Sequence, residues 1–480
     1  MKKPLLLLTL LIACTAVSRT PRRMRPDAGL RYIDRHFHLY DSLQKQIHGF
    51  AETGYNEHRS ADLLCRHLEQ HGFRIERGAA GIPTAFTASF GEGSPVIGVM
   101  AEYDALSGMA QDTVPRRQAP ESGGAGHACG HNLLGMGAAA GAVAVSKWLA
   151  EGHPGTIRLF GCPAEEGGGG KAYMMREGCF EGLDAMLDWH PDTRNTVNTQ
   201  TGLANVQVRF TFHGRSAHAS GAPDEGRSAL DAVEAFDYMM NLMREHVPQT
   251  ARIHYVITDG GHAPNIVPDR AEVLYYLRSP QRTVVLDLLA RALKAAEGAA
   301  LGTGTAFEYE IVSGNYERLL NTALSELVYR NLEQVGGVRY DAREQAFALE
   351  MLHSSGIEDT ACLARVARVE PPSGDGPAAW VSSDVGNVTW GVPTGSFRIA
   401  SFVPAGSGHC WQQTASGGTT IGTKGALNAA RVICLSACEL YTRPEMLERI
   451  RREFLERRGP GFRFEPLMGD RQPPFGYNDK

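Results

Sequence analysis

The stretch VIGVMAEYD, residues 96–104, is an apolar run that stops on two carboxylates, Glu102 and Asp104. Two later stretches repeat the pattern: TIRLFGCPAEE (156–166) ends on Glu165 and Glu166, and AMLDWHP (185–191) ends on His190 and Pro191. Apolar runs of this length, bounded by ionisable residues and separated by helical segments such as 132–151, predict buried strands joined by crossover helices. The fold class that follows is α/β, a largely parallel sheet with helices on both faces. In open sheets of this kind ligands bind beyond the carboxyl ends of the strands, which is where these charges fall.

A second rhythm occupies residues 203–316. It reads strand (ANVQVRFTFHG), helix (228–247), strand (RIHYVIT), strand (AEVLYYLR), helix (281–301) and strand (AFEYEIVSG). That β-α-β-β-α-β order predicts an inserted ferredoxin-like α+β domain. The catalytic domain is then expected in two parts, 30–202 and 317–445, with residues 446–480 as a C-terminal extension that is loosely ordered from about 459.

The chain has 480 residues, 43% of them hydrophobic and 21% charged, with a net charge of −5. This excludes the basic face of a nucleic-acid binder. Residues 1–18, MKKPLLLLTLLIACTAVS, combine two lysines, an apolar run too short to span a bilayer, and small residues, which is the pattern of an export signal. Leu11-Ile12-Ala13-Cys14 resembles a bacterial lipobox, so the expected product is an exported periplasmic or cell-envelope protein. Its one membrane contact is a lipid on Cys14, or none where the cut falls near Ala16 or Ser18. The nine cysteines are scattered, unlike a disulfide framework, and are expected to be mostly free thiols.

GHACGHNLLG (126–135) places Cys129 and His131 ahead of a helix of small residues. Alone it is open to three readings: metal site, thiol nucleophile, or packing, with His127 given the packing role. Glu165-Glu166 and His190 close neighbouring strands, so all three motifs are expected at one sheet edge. Thiolate, imidazole and carboxylate together suit zinc or manganese, and tandem buried glutamates need a cation. EEGGGGK (165–171) is no phosphate loop, because Glu165 stands where the first glycine is required and Ala172 where the hydroxyl belongs.

GHACGHNLLG, CPAEEGGGGKAYMMREG, DWHP, GRSAHAS, GRSALDAVE, APNIVPDRAEVLYYLR and SSDVGNVTWGVPT…HCWQ together resemble the metal-dependent amidohydrolase and peptidase family, and within it the aminobenzoyl-glutamate branch most. The resemblance implies a zinc-peptidase-like catalytic domain holding two divalent ions (Mn2+ or Zn2+) on Cys129, His131, Glu166, His190 and His409, with Glu165 as general base and Asp104 beside the site. It further implies that the inserted domain is a dimerisation and lid module. There His218 stabilises the oxyanion in a partner's site, and Asn265 and Arg278 hold the substrate carboxylate. Two positions depart from many relatives: Glu102 stands where a histidine is usual, and Asn132 where an aspartate is. The implied function is hydrolysis of the amide bond of an N-acyl or aminoacyl amino acid, p-aminobenzoyl-glutamate-like. A dipeptidase or a catalytically silent dimeric binding protein are the alternatives. The expected partners are that small substrate and a second copy of the chain, or a related protein in a heterodimer.

Overall fold

The computed structural model describes residues 26–120, 123–372 and 381–476; the expected export signal and Cys14 lie outside them. Its strands, in chain order, are β1 (Arg74–Arg77), β2 (Phe86–Glu92), β3 (Val96–Ala101), β4 (Gly155–Gly161), β5 (Ala185–Asp192), β6 (Thr196–Val197), β7 (Ala204–His213), β8 (Arg252–Asp259), β9 (Arg270–Ser279), β10 (Ala306–Asn315) and β11 (Thr394–Ala400). Seven form one sheet in the order β1-β2-β4-β3-β5-β11-β6. Its four central strands are parallel, β4 to β3, β3 to β5 and β5 to β11, and antiparallel pairs close both edges. The mixed edges refine the largely parallel sheet expected from the strand pattern. The three strands that end on charged residues are neighbours, so Glu102, Glu165 and His190 emerge along one edge.

The helix His131–Leu149 explains why that edge is rigid. Every residue in it is buried except Lys147. Its glycines let it sit between the sheet and the helix Thr420–Thr442 at backbone distance. A Cβ on Gly135 would lie 2.6 Å from the carbonyl oxygen of Glu102, and one on Gly137 would lie 2.7 Å from the Trp189 ring. Trp189, on β5, donates its indole N–H to the Leu134 carbonyl at 3.1 Å. Small residues therefore set the height at which Cys129 and His131 meet the strand ends.

Strands β7 to β10 make a separate antiparallel sheet, in the order β10-β7-β9-β8. The helices Ala229–Met243 and Arg282–Thr303 pack against it. Strand β9 alternates buried and more exposed residues along its length, with Ala271, Val273, Tyr275 and Leu277 turned inward, the pattern of a sheet covered on one face. Ser228 caps the first helix through a 3.1 Å bond from the Asp231 N–H.

The tail differs from the loosely ordered extension expected. A helix, Pro444–Arg458, comes first. Residues beyond it then run as a strap over the junction of the two sheets. Tyr316 Oη donates to the Glu465 carbonyl at 2.7 Å, Leu467 and Met468 are buried, Arg176 Nη1 donates to the Arg471 carbonyl at 2.7 Å, and Phe475 meets the edge of the Tyr55 ring. Glycine and proline there reflect a chain fitted along a surface: the aromatic residues between them, Phe462 and Phe464, pack on the core of the second sheet.

Among the described residues no helix is long and apolar enough to cross a membrane, and the eight cysteines are free thiols.

Replacing Gly137 tests the close packing of the buried helix. Gly137→Val is expected to lower the unfolding free energy by about 1–3 kcal/mol, the usual scale of overpacking, measured as a fall in the urea midpoint with unchanged m-value.

Candidate metal centre and substrate cleft

Beyond the carboxyl ends of β3, β4 and β5, three overlapping groups of donor atoms each lie within 4.8 Å of one another: Cys129, His131 and His190; Cys129, Glu166 and His409; Glu102, His131 and Glu165. The first two groups share the Cys129 sulfur, and the first and third share His131.

The histidines are oriented for donation by what holds their other nitrogen. His190 Nδ1 lies 2.7 Å from the Pro191 carbonyl, which can only accept, so Nδ1 carries the proton and Nε2 faces Cys129 Sγ at 3.4 Å with its lone pair. Burial, helped by Arg398 and His131, lowers the His190 pKa to about 4, which keeps the ring neutral. His131 Nδ1 donates to Asp104 Oδ1 at 2.8 Å, and its buried Nε2 makes no hydrogen bond although Glu102 Oε2 is 3.2 Å away. Burial opposes charge on His131, but Cys129, Asp104 and Glu102 outweigh it and hold its pKa well above the usual range.

Asp104 lies behind the site and supports it. Its Oδ1 fixes His131, and its Oδ2 accepts the backbone N–H of Glu166 at 2.9 Å, so one buried carboxylate sets the position of two donors. The turn after β4 is tight enough to need glycine: a Cβ on Gly170 would lie 2.0 Å from the Pro163 carbonyl oxygen. Tyr55 Oη donates to the Gly168 carbonyl at 2.8 Å from outside the turn. His409 reaches the site from the other half of the domain, with Nε2 3.5 Å from Glu166 Oε1. Its φ of 43° is a left-handed conformation that a histidine holds only when the surroundings impose it.

Cys129 is not an activated nucleophile. Burial pushes its thiol pKa up, the reverse of what thiol attack needs. Burial, reinforced by Glu102, Glu166 and Asp384, pushes the Glu165 carboxyl well above the usual carboxylate range. The neutral His190 ring with its Nε2 lone pair, the His131 ring, the half-buried Cys129 thiol and a crowd of carboxylates form a donor set that fits divalent cations, whose binding would displace the proton His131 holds without them.

Several residues escaped the sequence reading. Lys171 is fully buried, and its Nζ lies 2.7 Å from both Glu102 Oε1 and Asp384 Oδ1. The two carboxylates outweigh burial and keep the lysine charged. Glu57 is buried too, accepting the Ala164 N–H at 2.8 Å and the Thr84 hydroxyl at 3.0 Å. EEGGGGK and SSDVGN contain Lys171 and Asp384, but nothing in either motif pairs residues so distant in sequence. Asn132 does not reach the site: its amide donates to Gln44 Oε1 at 2.8 Å and to the Gly417 carbonyl, joining the start of its helix to two others. His127 has the packing role expected of it, with Nε2 3.1 Å from the Ile47 carbonyl.

The donors open into a cleft of 740 Å³ lined by Cys129, Glu165, Glu166, His190 and His409 at one end and by Arg278, Arg318, Arg398 and Ser382 elsewhere. Arg278 donates to Ser382 Oγ at 3.2 Å and lies over the Tyr276 ring. His218 and Asn265 do not line it. They sit together on an exposed corner of the second sheet, where His218 pairs with Ile266 in a β-bridge and the Ala219 N–H bonds the Asn265 carbonyl at 3.0 Å.

The profile of Peptidase family M20/M25/M40 matches residues 98–370. The chain is 39% identical over 442 residues to one of the two kinds of p-aminobenzoyl-glutamate hydrolase chain of Escherichia coli (strain K12), covering 86% of this chain and 91% of that one. It is 28% identical to the Xaa-Arg dipeptidase of Mus musculus, over 88% of this chain and 90% of that one. Among solved structures it shares the fold of a dinuclear metal binding peptidase of family M20 from Bacillus subtilis, with a TM-score of 0.56 at 17% identity, over 83% of this chain and 99% of that one.

Lys171→Met removes the cation between two buried carboxylates. We expect it to lose roughly 3–5 kcal/mol of unfolding free energy, the cost of leaving buried charge uncompensated, read by chemical denaturation; an unchanged midpoint would show that the network carries no stability.

Proposed function

The chain belongs to peptidase family M20/M25/M40 and is a hydrolase of amide bonds, and from that premise we propose that it cleaves an N-acyl or aminoacyl amino acid resembling p-aminobenzoyl-glutamate. The observation that carries the reading is the joining, in one cleft, of overlapping donor groups, the Glu165 carboxylate and the Arg278–Ser382 pair. Cys129, His131, Glu166, His190 and His409 would hold two divalent ions, manganese or zinc. Bound there, such ions acidify the attacking water and polarise the scissile carbonyl.

The protein's own groups do the rest. Glu165, which lines the cleft beside the donors, takes the proton of the attacking water and delivers it to the leaving amine nitrogen. Arg278 holds the substrate carboxylate with its planar fork, steadied by Ser382 and by the Tyr276 ring beneath it. His218 and Asn265 complete the site from a second copy of the chain. This fits their exposure, and it fits the apolar surface of the edge strand β8, where Tyr255, Val256 and Ile257 are exposed. The second sheet then serves as the dimerisation and lid module; a related protein in place of the second copy makes the heterodimer. Residues 1–18, read as an export signal, would make it an exported periplasmic or cell-envelope enzyme, lipid-anchored where the cut falls before Cys14 and free where it falls near Ala16 or Ser18. A silent binding protein would have no use for Glu165 lining the cleft beside the donors.

Glu165→Gln is expected to retain metal by elemental analysis while kcat falls by roughly 10²–10⁴-fold, the contribution of positioned proton transfer; near-normal turnover would remove Glu165 from the role. Cys129→Ser is expected to lower the bound metal to below one ion per chain after dialysis, and full occupancy would refute Cys129 as a ligand.

A further inference from the structure

Glu165 lines the cleft, yet among the described residues no hydrogen bond or ion pair holds its carboxyl. Its place is set through the backbone on either side. The residue after it, Glu166, is fixed by the Asp104 carboxylate, which accepts the Glu166 N–H at 2.9 Å. The residue before it, Ala164, is fixed by a second buried carboxyl from another part of the chain. Glu57 Oε1 accepts the Ala164 N–H at 2.8 Å across a separation of 107 residues.

Ala164 needs such a hold. It is fully buried, and its φ of 57° lies in the left-handed region that alanine rarely adopts. Its carbonyl accepts the Gly169 N–H at 2.8 Å and so closes the turn. Without Glu57 the Ala164 N–H becomes a buried donor with no acceptor, at a residue whose backbone is already unfavourable. The turn then relaxes by rotating Ala164, and that rotation redirects the next side chain, Glu165.

Glu57 is free for this because another residue does the local work. It stands at the N-cap of the helix His58–Gln70, a position whose side chain commonly accepts the helix's own N–H groups, but it makes no such bond. Glu52 takes that part, with Oε1 accepting the Arg59 N–H and Oε2 the Ser60 N–H, both at 2.9 Å. The Glu57 carboxyl is aimed by Thr84, whose hydroxyl lies 3.0 Å from Oε2 and whose carbonyl accepts the Tyr103 hydroxyl at 2.6 Å. The same loop grips the far side of the turn through Tyr55, and it grips the segment after Asp104 through the Ala105 N–H, which donates to the Glu52 carbonyl at 2.8 Å. Burial, reinforced by Asp104, pushes the Glu57 carboxyl up to about 8. Its Oε1 accepts the Ala164 N–H as acid or as carboxylate, and a glutamine oxygen can stand in for it.

We infer that Glu57 is a positioning residue for the hydrolytic step: aimed by Thr84, it fixes the left-handed Ala164 and with it the direction in which Glu165 enters the cleft. That role rests on the reading of Glu165 as the base, and Glu57 itself neither lines the cleft nor belongs to a donor group. Glu57 and Asp104 together suspend Glu165 between two fixed N–H groups, but they differ in what else they hold. Asp104 also orients His131, so its loss disturbs the donors. Loss of Glu57 disturbs the base and leaves the donors in place.

The test uses the full-chain, metal-loaded protein with p-aminobenzoyl-glutamate. Glu57→Leu offers Ala164 no acceptor and is expected to lower kcat by roughly 10- to 100-fold, the scale of a catalytic group misplaced by about 1 Å. KM and bound metal stay near the parent's. Glu57→Gln, whose amide oxygen can still accept, recovers most of the loss. Thr84→Val frees Oε2 alone, lowers kcat by less, and supplies the answer if Glu57→Leu does not fold. A loss that falls on KM or on bound metal, Glu57→Gln as slow as Glu57→Leu, or folded variants with the parent's kcat overturn the positioning role and leave amide hydrolysis standing. If Glu165→Gln turns over normally, or the parent hydrolyses no substrate, the reading beneath the role falls, and hydrogen exchange decides the hold on the turn by itself. Faster exchange of the Ala164 N–H in Glu57→Leu, reversed in Glu57→Gln, upholds that hold; exchange unchanged by either substitution retires it.

Discussion

The buried carboxylates at the strand ends set the terms for the rest of the structure. Glu57, Glu102, Asp104 and Asp384 are all removed from water, and Glu165 and Glu166 stand beside them. Each needs a positive or hydrogen-bonding partner, because an isolated buried carboxylate is among the most unfavourable groups a protein can contain. Lys171 answers two of them, His131 bridges Glu102 and Asp104, and backbone N–H groups of Ala164 and Glu166 answer Glu57 and Asp104. The groups that face the cleft at these strand ends are Glu165, Glu166 and His190, among the donors placed close enough together to hold a cation. The scaffold and the donor set are therefore one electrostatic arrangement.

Packing then makes the arrangement rigid. The glycine and alanine helix after Cys129 is held at backbone distance from the ends of β3 and β5, so Cys129 and His131 have little freedom to move away from Glu102 or His190. The charge of the cleft reverses over its length, from carboxylates at the metal end to arginines beyond Ser382.

The parts of this protein legible in its sequence are those whose signals are local. Apolar strands closing on charged residues, a β-α-β-β-α-β order and a cysteine–histidine pair before a helix all lie within short windows, and the neighbouring β3, β4 and β5 bring them together as read. Lys171 and Asp384 were not legible, because 213 residues separate them and a lysine after four glycines looks solvent-exposed. Asp104 was legible as a residue beside the site, but not the two bonds by which it holds His131 and the Glu166 N–H, since adjacency in sequence does not tell which way a buried carboxylate faces. The tail misled for a related reason: composition rich in glycine, proline and arginine describes a loose segment and a docked strap equally well, and only the partners at Tyr316, Arg176 and Tyr55 decide between them.

The end of that strap has a consequence for the turn beneath it. Phe475 rests on Tyr55, and Tyr55 holds the glycine turn that carries Glu165 and Glu166. A segment more than three hundred residues away in sequence thus braces the loop from outside. A cut between the helix Pro444–Arg458 and Phe475 would free the brace while leaving every candidate donor in the chain.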